Sequence, residues 1–273
     1  MLNPIHINAT SLSDAWFQTL YKCIEQGSSF VIDQGSYEGQ KRLEFDYITI
    51  HIKYPATLPL LPQVNPSFGF PNPVAHDYLD DYLPYLMSSE LKKGESYTYG
   101  SRLTKVKITD VMKLNADSGL CIDELSAEFK KNGIVWEENC NFYINQIDAM
   151  IYIYKNNGYR NNQMCLMVGD GDDFALKDPA CLKLIDTKIQ DGKLHFFPYF
   201  RSWDLFNGFP ANLAAIEMMK QYCSDAIGVE NGEIIASSKG LHIYDYVWEI
   251  AETLRGRTIE DFKKEIKNEA KNK

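Results

Sequence analysis

The sequence predicts an α/β (α+β) protein folded as a single domain. Helical and strand patterns mix along the chain without a regular alternation of strand and crossover helix. The pair Asp191-Gly192 lies between two strand-like runs and demands at least one antiparallel hairpin. No Gly-x-Gly-x-x-Gly follows a strand and no Walker loop is present, which argues against a doubly wound nucleotide fold. With 273 residues, 45% of them hydrophobic, the chain can build one substantial core.

Taken in order, Ser11 to Glu25 carries Trp16, Leu20 and Cys23 on one helical face, and Gly27 ends it. Ser29 to Asp33 is a short apolar run. Arg42 to Lys53 alternates, with Leu43, Phe45, Tyr47, Thr49 and His51 opposing Ile48, Ile50 and Ile52, which predicts one strand covered on both faces near its end. Residues 54–74 hold six of the eleven prolines and predict an ordered irregular loop in which Leu58, Leu60, Leu61, Phe68 and Phe70 pack. Pro73 to Met87 predicts a helix that Pro84 kinks or ends. Residues 89–104 are polar. Asn141 to Asn156 predicts an amphipathic helix carrying Ile144, Ile147, Met150 and Ile151. Met164 to Val168 and Leu182 to Ile189 predict strands, and the Asp191-Gly192 turn leads into a third, Lys193 to Phe200. Phe209 to Ile227 is a long helix closed by Gly228, Glu233 to Ala236 a strand, and Leu241 to Leu254 a helix, followed by a charged tail.

A net charge of −9 argues against a nucleic-acid surface, although one arginine can still hold one phosphate. No apolar stretch approaches 18 residues, so no membrane-spanning helix is expected, and the N-terminal residues do not read as a signal peptide. The six cysteines are scattered without Cys-x-x-Cys spacing, which predicts free thiols in a reducing cytoplasm. The 17 Tyr and 14 Phe suit pockets with an apolar wall and a polar tip.

Chemistry concentrates in the second half. Cys181 follows Pro179-Ala180, and a hairpin brings its two outer ends together, so Cys181 and Arg201 are expected to be neighbours. A thiolate adds to electron-poor double bonds when a nearby cation lowers its pKa. Arg201-Ser202 offers a guanidinium fork and a hydroxyl for a phosphate monoester. Asn212 can pair with O4 and N3–H of uracil, whereas an aspartate would suit the cytosine edge; its plain alternative is a helix cap. His242 and Tyr244, two apart, share a face if extended and could reach a sugar hydroxyl. The loop Gly169-Asp170-Gly171-Asp172-Asp173 reads as a solvated turn, not a cation site, and no metal is expected.

These residues resemble the thymidylate synthase family. Pro179-Ala180-Cys181, Arg201-Ser202-Trp203-Asp204, Gly208-Phe209-Pro210-Ala211-Asn212 and His242-Ile243-Tyr244 fit its motifs in order and spacing, and Tyr99-Gly100 extends the match. The wording of 97–103 and 237–246 is most similar to the archaeal-type branch. The resemblance implies a twisted mixed β-sheet flanked by helices, with a divergent N-terminal part (1–110), a catalytic core (160–250) and a charged tail (255–273). It implies that Cys181 attacks C6 of dUMP, that Arg201 and Ser202 hold the phosphate and that Asn212 reads the base. His242 and Tyr244 would hold the 3′-hydroxyl, Tyr99 would assist loss of the C5 proton through water, and Asp204 and Gly208 would meet a methylene-pterin co-substrate. Arg160 stands where the family's paired arginines lend phosphate contacts across a homodimer, followed here by Asn161, Asn162 and Gln163. The short apolar C-terminal segment that closes the family's site has no counterpart in the charged tail, so the pterin could be of the tetrahydromethanopterin type or tetrahydrofolate. Three outcomes stay open: methyl transfer giving dTMP, hydroxymethylation of a pyrimidine nucleotide on the same scaffold, and nucleotide binding without catalysis.

Overall fold

Where the alternating patterns change phase, the chain changes sheets. The computed structural model describes residues 1–33, 37–75, 77–108, 123–256, 258–261, 264, 267 and 268, without the side chains of 123–126. Ile5, Ile7 and Ala9 alternate with outward residues, which makes Pro4–Ala9 (β1) a half-buried strand that the sequence reading passed over. Ser11 then caps Leu12–Gln26 (α1), its hydroxyl accepting from Asp14 N at 3.2 Å. The chain continues as Ser28–Val31 (β2) and Lys41–Glu44 (β3).

The single strand expected from Arg42 to Lys53 is two. After β3, Tyr47–Ile52 (β4) joins a different sheet. Buried positions move from Leu43 and Phe45 to Ile48, Ile50 and Ile52, a one-residue change of phase that no single pleated strand can hold on one face. The outer positions Thr49 and His51 stay half-buried, so the strand is not covered on both faces.

The proline-rich connection is ordered and irregular, with one 3₁₀ turn at Pro66–Phe68. Leu61 and Val64 are buried and Leu60 and Phe70 partly so, but Leu58 and Phe68 face solvent. Helix Tyr78–Leu86 (α2) accommodates Pro84 near its end. A short helix at Tyr99–Thr104 (α3) carries too few apolar residues to announce itself. Its signal is a capping box between Thr98 and Ser101.

Val106–Ile108 (β5), Asp123–Lys131 (α4), Val135–Glu138 (β6) and Asn141–Ile144 (β7) follow, the strands ordered β5-β7-β6. The helix expected from Asn141 therefore starts later. Asn145 caps Gln146–Asn157 (α5), its Oδ1 accepting from Ile147 N and Asp148 N. Cys165–Met167 (β8), Leu182–Gln190 (β9) and Lys193–Phe200 (β10) match expectation. At the hairpin tip both Asp191 (φ 52°) and Gly192 (φ 73°) are left-handed, as a type I′ turn requires.

Trp203–Asp204 (β11) leads into Gly208–Ile227 (α6), closed by Gly228 at φ 87°. Glu230–Ser238 (β12) is longer than expected. The helix expected from Leu241 begins as a strand, Leu241–Tyr244 (β13), and only Trp248–Arg255 (α7) is α-helical. All four β13 residues are buried because the strand lies inside a sheet ordered β11-β13-β3-β2, and a run of four residues is too short to carry a period that separates strand from helix. Cys121 and most of the charged tail lie outside the described residues.

The central sheet runs β1-β4-β12-β10-β9-β8 and is mixed: β1/β4 and β10/β12 are parallel, the other pairs antiparallel. α1 and α6 pack on it, and α2 lies across α6. The core gathers Ile48, Ile50, Ile52, Leu194, Phe196 and Ile234 from the strands with Trp16, Leu20, Phe209 and Leu213 from the helices, all fully buried. The fold is thus a single mixed α/β domain, as the sequence predicts.

Candidate active site

The β9–β10 hairpin does what its turn foretold. Arg201 N donates to Cys181 O at 2.8 Å, so thiol and guanidinium sit at the hairpin's open end. The guanidinium turns back on the segment before the cysteine: Nε donates to Ala180 O at 3.1 Å and Nη2 to Pro179 O at 2.6 Å. Burial nevertheless pushes the Cys181 thiol up, and Arg201 offsets this only in part, so the lowered pKa expected from the cation is not present in the unliganded chain.

Tyr99 meets this junction from α3, where its hydroxyl accepts from Leu182 N at 3.3 Å, one residue from the thiol. Burial pushes the phenol up, keeping it protonated at neutral pH. α3 is fastened beside the hairpin by Arg102, which donates to Val168 O at 2.9 Å and pairs with Asp173 at 2.6 Å, while Lys183 of β9 holds the other Asp173 oxygen. Burial alone would raise the Asp173 carboxyl, but the Lys183 and Arg102 bonds outweigh it and hold it at about 2. Asp173 is only 6% exposed, so this part of the 169–173 loop is a buried anchor, not a solvated turn. Among the described residues no cluster of His, Cys, Asp and Glu is arranged to hold a metal.

Beyond the hairpin, Arg201 and half-buried Ser202 lead into β11. Trp203 stacks on Phe200 (centroids 3.8 Å, planes 5° apart) and leans on Phe209 at 4.7 Å. Its Nε1 donates to Asn212 Oδ1 at 3.0 Å, and Asn212 Nδ2 donates to the Tyr82 hydroxyl at 2.7 Å. Asn212 is the fifth residue of α6, so the helix-cap alternative falls. Tyr82 was missed; its signal is the spacing Tyr78, Tyr82, Tyr85 on α2, whose rings follow one another at 5.4 and 6.5 Å.

His242 and Tyr244 lie on β13, with Asp204 paired to His242 across β11. His242 Nδ1 donates to Gly240 O at 2.8 Å, and because a carbonyl only accepts, Nδ1 carries the hydrogen. Burial pushes the imidazole down to about 4, so it is neutral at pH 7. Its Nε2 is then a bare, buried acceptor with no hydrogen-bond partner among the described residues. The Tyr244 ring meets the His242 ring edge-on at 4.8 Å.

A family model described as thymidylate synthase matches residues 98–272, well over half of the chain and all of the residues just described from Tyr99 onward. The chain belongs to the thymidylate synthase family. It is 26% identical over 250 residues to "Putative thymidylate synthase" of Methanosarcina barkeri, covering 91% of this chain and 93% of that one. A protein of the same name from Methanothermobacter thermautotrophicus is 24% identical over 174 residues, 64% of this chain and 62% of the relative. "Thymidylate synthase" of Corynebacterium aurimucosum is 34% identical over 115 residues, 41% of this chain and 42% of the relative. The near full-length likeness to methanogen chains agrees with the archaeal-type wording of the motifs. Thymidylate synthases are one-carbon transferases of dTMP biosynthesis that use dUMP and a folate-type donor.

Two residues carried over from the thymidylate synthase motifs have surroundings that the motifs alone do not give. Asp204 caps α6: its Oδ1 accepts from Phe206 N at 3.0 Å and its Oδ2 from Asn207 N and Gly208 N, both at 3.1 Å. A carboxylate has about four lone-pair sites, so three backbone donors leave room for about one more. Arg160 lines a cavity of about 320 Å³ with Lys188, Asp191 and Gly192 at the hairpin tip. The nine-residue β9 separates that tip from Cys181, roughly 25–30 Å at strand rise, so Arg160 does not reach the Cys181 of its own chain. Gly208 keeps the floor between Asp204 and Asn212 open, on a cavity of about 400 Å³ that Pro73, Val74 and Tyr78 close from above. A further cavity of about 220 Å³ runs between Tyr82, Tyr85, Tyr97 and Tyr99.

Proposed function

We propose that this chain transfers a one-carbon unit from a methylene-pterin to C5 of dUMP, giving dTMP, through a covalent bond between Cys181 and C6. The observation that carries the reading is the meeting of Cys181, Arg201 and Tyr99 at the open end of the β9–β10 hairpin. Arg201 and Ser202 bind the phosphate. Asn212 pairs with the uracil edge, and the bare Nε2 of His242, with Tyr244 beside it, accepts the 3′-hydroxyl. Arg201 beside the thiol favours loss of its proton, and Sγ adds to C6. The C5=C6 electrons move toward C5 and O4, where Asn212 Nδ2 donates to the developing charge. C5 gains the new carbon and loses its proton to water ordered by Tyr99. Expulsion of Cys181 then breaks the S–C6 bond.

The residues along the 400 Å³ cavity suit a pterin: Tyr78 offers an aromatic wall, Gly208 an open floor and Asp204 one remaining acceptor. When bound there, the pterin would supply the carbon, released by breaking its bond to the pterin nitrogen, and the hydride that adds to that carbon as Cys181 leaves. Tyr97 and Tyr99, which lie near Cys181, line a cavity with Tyr82, and these rings limit entry of water, which would otherwise add in place of hydride and give a 5-hydroxymethyl product. Arg160 acts on the phosphate of a second subunit in a homodimer.

The test is 5-fluoro-dUMP with methylene-tetrahydromethanopterin or methylene-tetrahydrofolate. The expected result is a covalent adduct mapped by mass spectrometry to Cys181 and lost in Cys181→Ser. An adduct that persists in that variant, or maps to Cys165, overturns the assignment. With dUMP itself, a product with the mass of dTMP is expected, and a dominant 5-hydroxymethyl-dUMP signal would reassign the reaction.

A further inference from the structure

A carboxamide is nearly two-fold symmetric in shape but not in chemistry. Turned one way, an asparagine accepts from N3–H and donates to O4, as uracil requires. Turned over, it donates to N3 and accepts from the exocyclic amine, as cytosine requires. Asn212 alone therefore does not choose a base; whatever fixes its rotation does.

We infer that Trp203 is the positioning residue that makes this site select uracil over cytosine. This rests on the pyrimidine-nucleotide reading above. The indole Nε1–H is a donor only, and at 3.0 Å it admits the amide oxygen and not the amide nitrogen. Turning the amide over would set N–H against N–H in a buried place, leaving two donors unsatisfied. The indole has no freedom to turn away: it is 2% exposed, stacked on Phe200 at 3.8 Å and held by Phe209 at 4.7 Å. Tyr82, the amide's other partner, imposes no such choice, because a hydroxyl rotates to accept from nitrogen or donate to oxygen. With Trp203 and Tyr82 in place, Oδ1 keeps one lone pair and Nδ2 one hydrogen, and a uracil edge consumes both.

The two partners predict different phenotypes. Binding of dUMP and of dCMP, without pterin, is measured by calorimetry on the intact chain and on Trp203→Phe and Tyr82→Phe. Wild type should prefer dUMP. Trp203→Phe should reduce the dUMP/dCMP ratio by about tenfold or more, chiefly by tightening dCMP. Tyr82→Phe should weaken both nucleotides together and leave the ratio within about threefold. Should Trp203→Phe fail to fold, benzothienylalanine at position 203 keeps the ring shape and removes only the N–H, and the same drop in ratio is expected. A ratio unchanged without the indole N–H, or one that falls equally in Tyr82→Phe, overturns the assignment to Trp203 while dUMP binding persists. A wild-type chain that binds neither nucleotide overturns the pyrimidine reading and this inference with it.

Discussion

His242 shows how far the fold sets the state of a single side chain. Burial drives its pKa from 6.5 down to about 4, with the Gly240 carbonyl acting in the opposite sense. Between those two values the unfolded chain binds a proton that the folded chain refuses. The stability contributed is therefore full above pH 6.5 and is lost as pH falls toward 4, amounting to about 3 kcal/mol at the acid end. Urea titrations at pH 7 and pH 4.5 should show this loss, and His242→Gln should flatten that part of the acid limb. The sequence marked His242 and Tyr244 as a pair two apart. It did not show that the bare Nε2 would be buried without a partner among the described residues, since that depends on Gly240 claiming the other ring nitrogen. Cys181 is a similar case. The hairpin placed it beside Arg201, but the direction of its pKa followed from burial, a property of the packed molecule.

At the level of elements, the contact of α3 with α2 is the least tolerant of change. A Cβ on Gly100 would lie 2.2 Å from Tyr85 O, 2.4 Å from Ser88 O and 2.9 Å from Leu86 O, all of them backbone atoms that cannot step aside. Gly100 is thus the residue that lets α3 close against the end of α2 and carry Tyr99 to the hairpin. Gly100→Ala should cost about 1–3 kcal/mol, read as a lowered Tm. Tritium release from 5-tritiated dUMP should fall more than dUMP binding, because Tyr99 moves while Arg201 and Ser202 stay. Other element boundaries divide by the range of their causes. The hairpin turn at Asp191-Gly192 and the helix that begins near Ser11 are local chemistry and were legible. The break between β3 and β4 was encoded in a change of phase at residues 45–48, a readable signal obscured by the near-continuous alternation around it. The strand at Leu241–Tyr244 had no such signal, because an interior strand buried on both faces has the same composition as a helix turn.

For the molecule as a whole, α6 is sealed to the central sheet through a buried ion pair. Glu217 and Lys220 are both 0% exposed. Lys220 Nζ donates to Asn231 Oδ1 at 2.6 Å and also to Gly232 O, and Asn231 Nδ2 donates to Glu217 Oε1 at 2.6 Å. The second Glu217 oxygen faces Lys220 Nζ at 3.1 Å through charge, without an aligned hydrogen bond. Lys220→Met leaves that carboxylate buried and uncompensated and should cost about 3–5 kcal/mol, whereas Glu217→Gln with Lys220→Met should recover most of the loss. Unfolding of the three chains in urea, at equal m-values, measures both figures. The helical pattern of α6 identified the helix but not this pair, since charges at i and i+3 read as a solvated face until β12 is seen beneath them.

The sequence by itself determined the class of fold, the β9–β10 hairpin, the helices α1, α2, α5 and α6 and the motif residues that mark the thymidylate synthase family. These are set by turn chemistry, helix caps and periodicity, interactions among residues a few positions apart. Tertiary structure alone decided which of those residues face one another. Tyr82 meets Asn212 across 130 residues of chain, and Trp16 donates to Leu205 O across 189, holding α1 against the segment that carries Asp204. It set Asp204 to cap α6 and placed Arg160 at the far end of the hairpin from Cys181. Such contacts depend on how helices seat against sheets, and a linear pattern records which face of an element is apolar but not which distant polar atom lies opposite it.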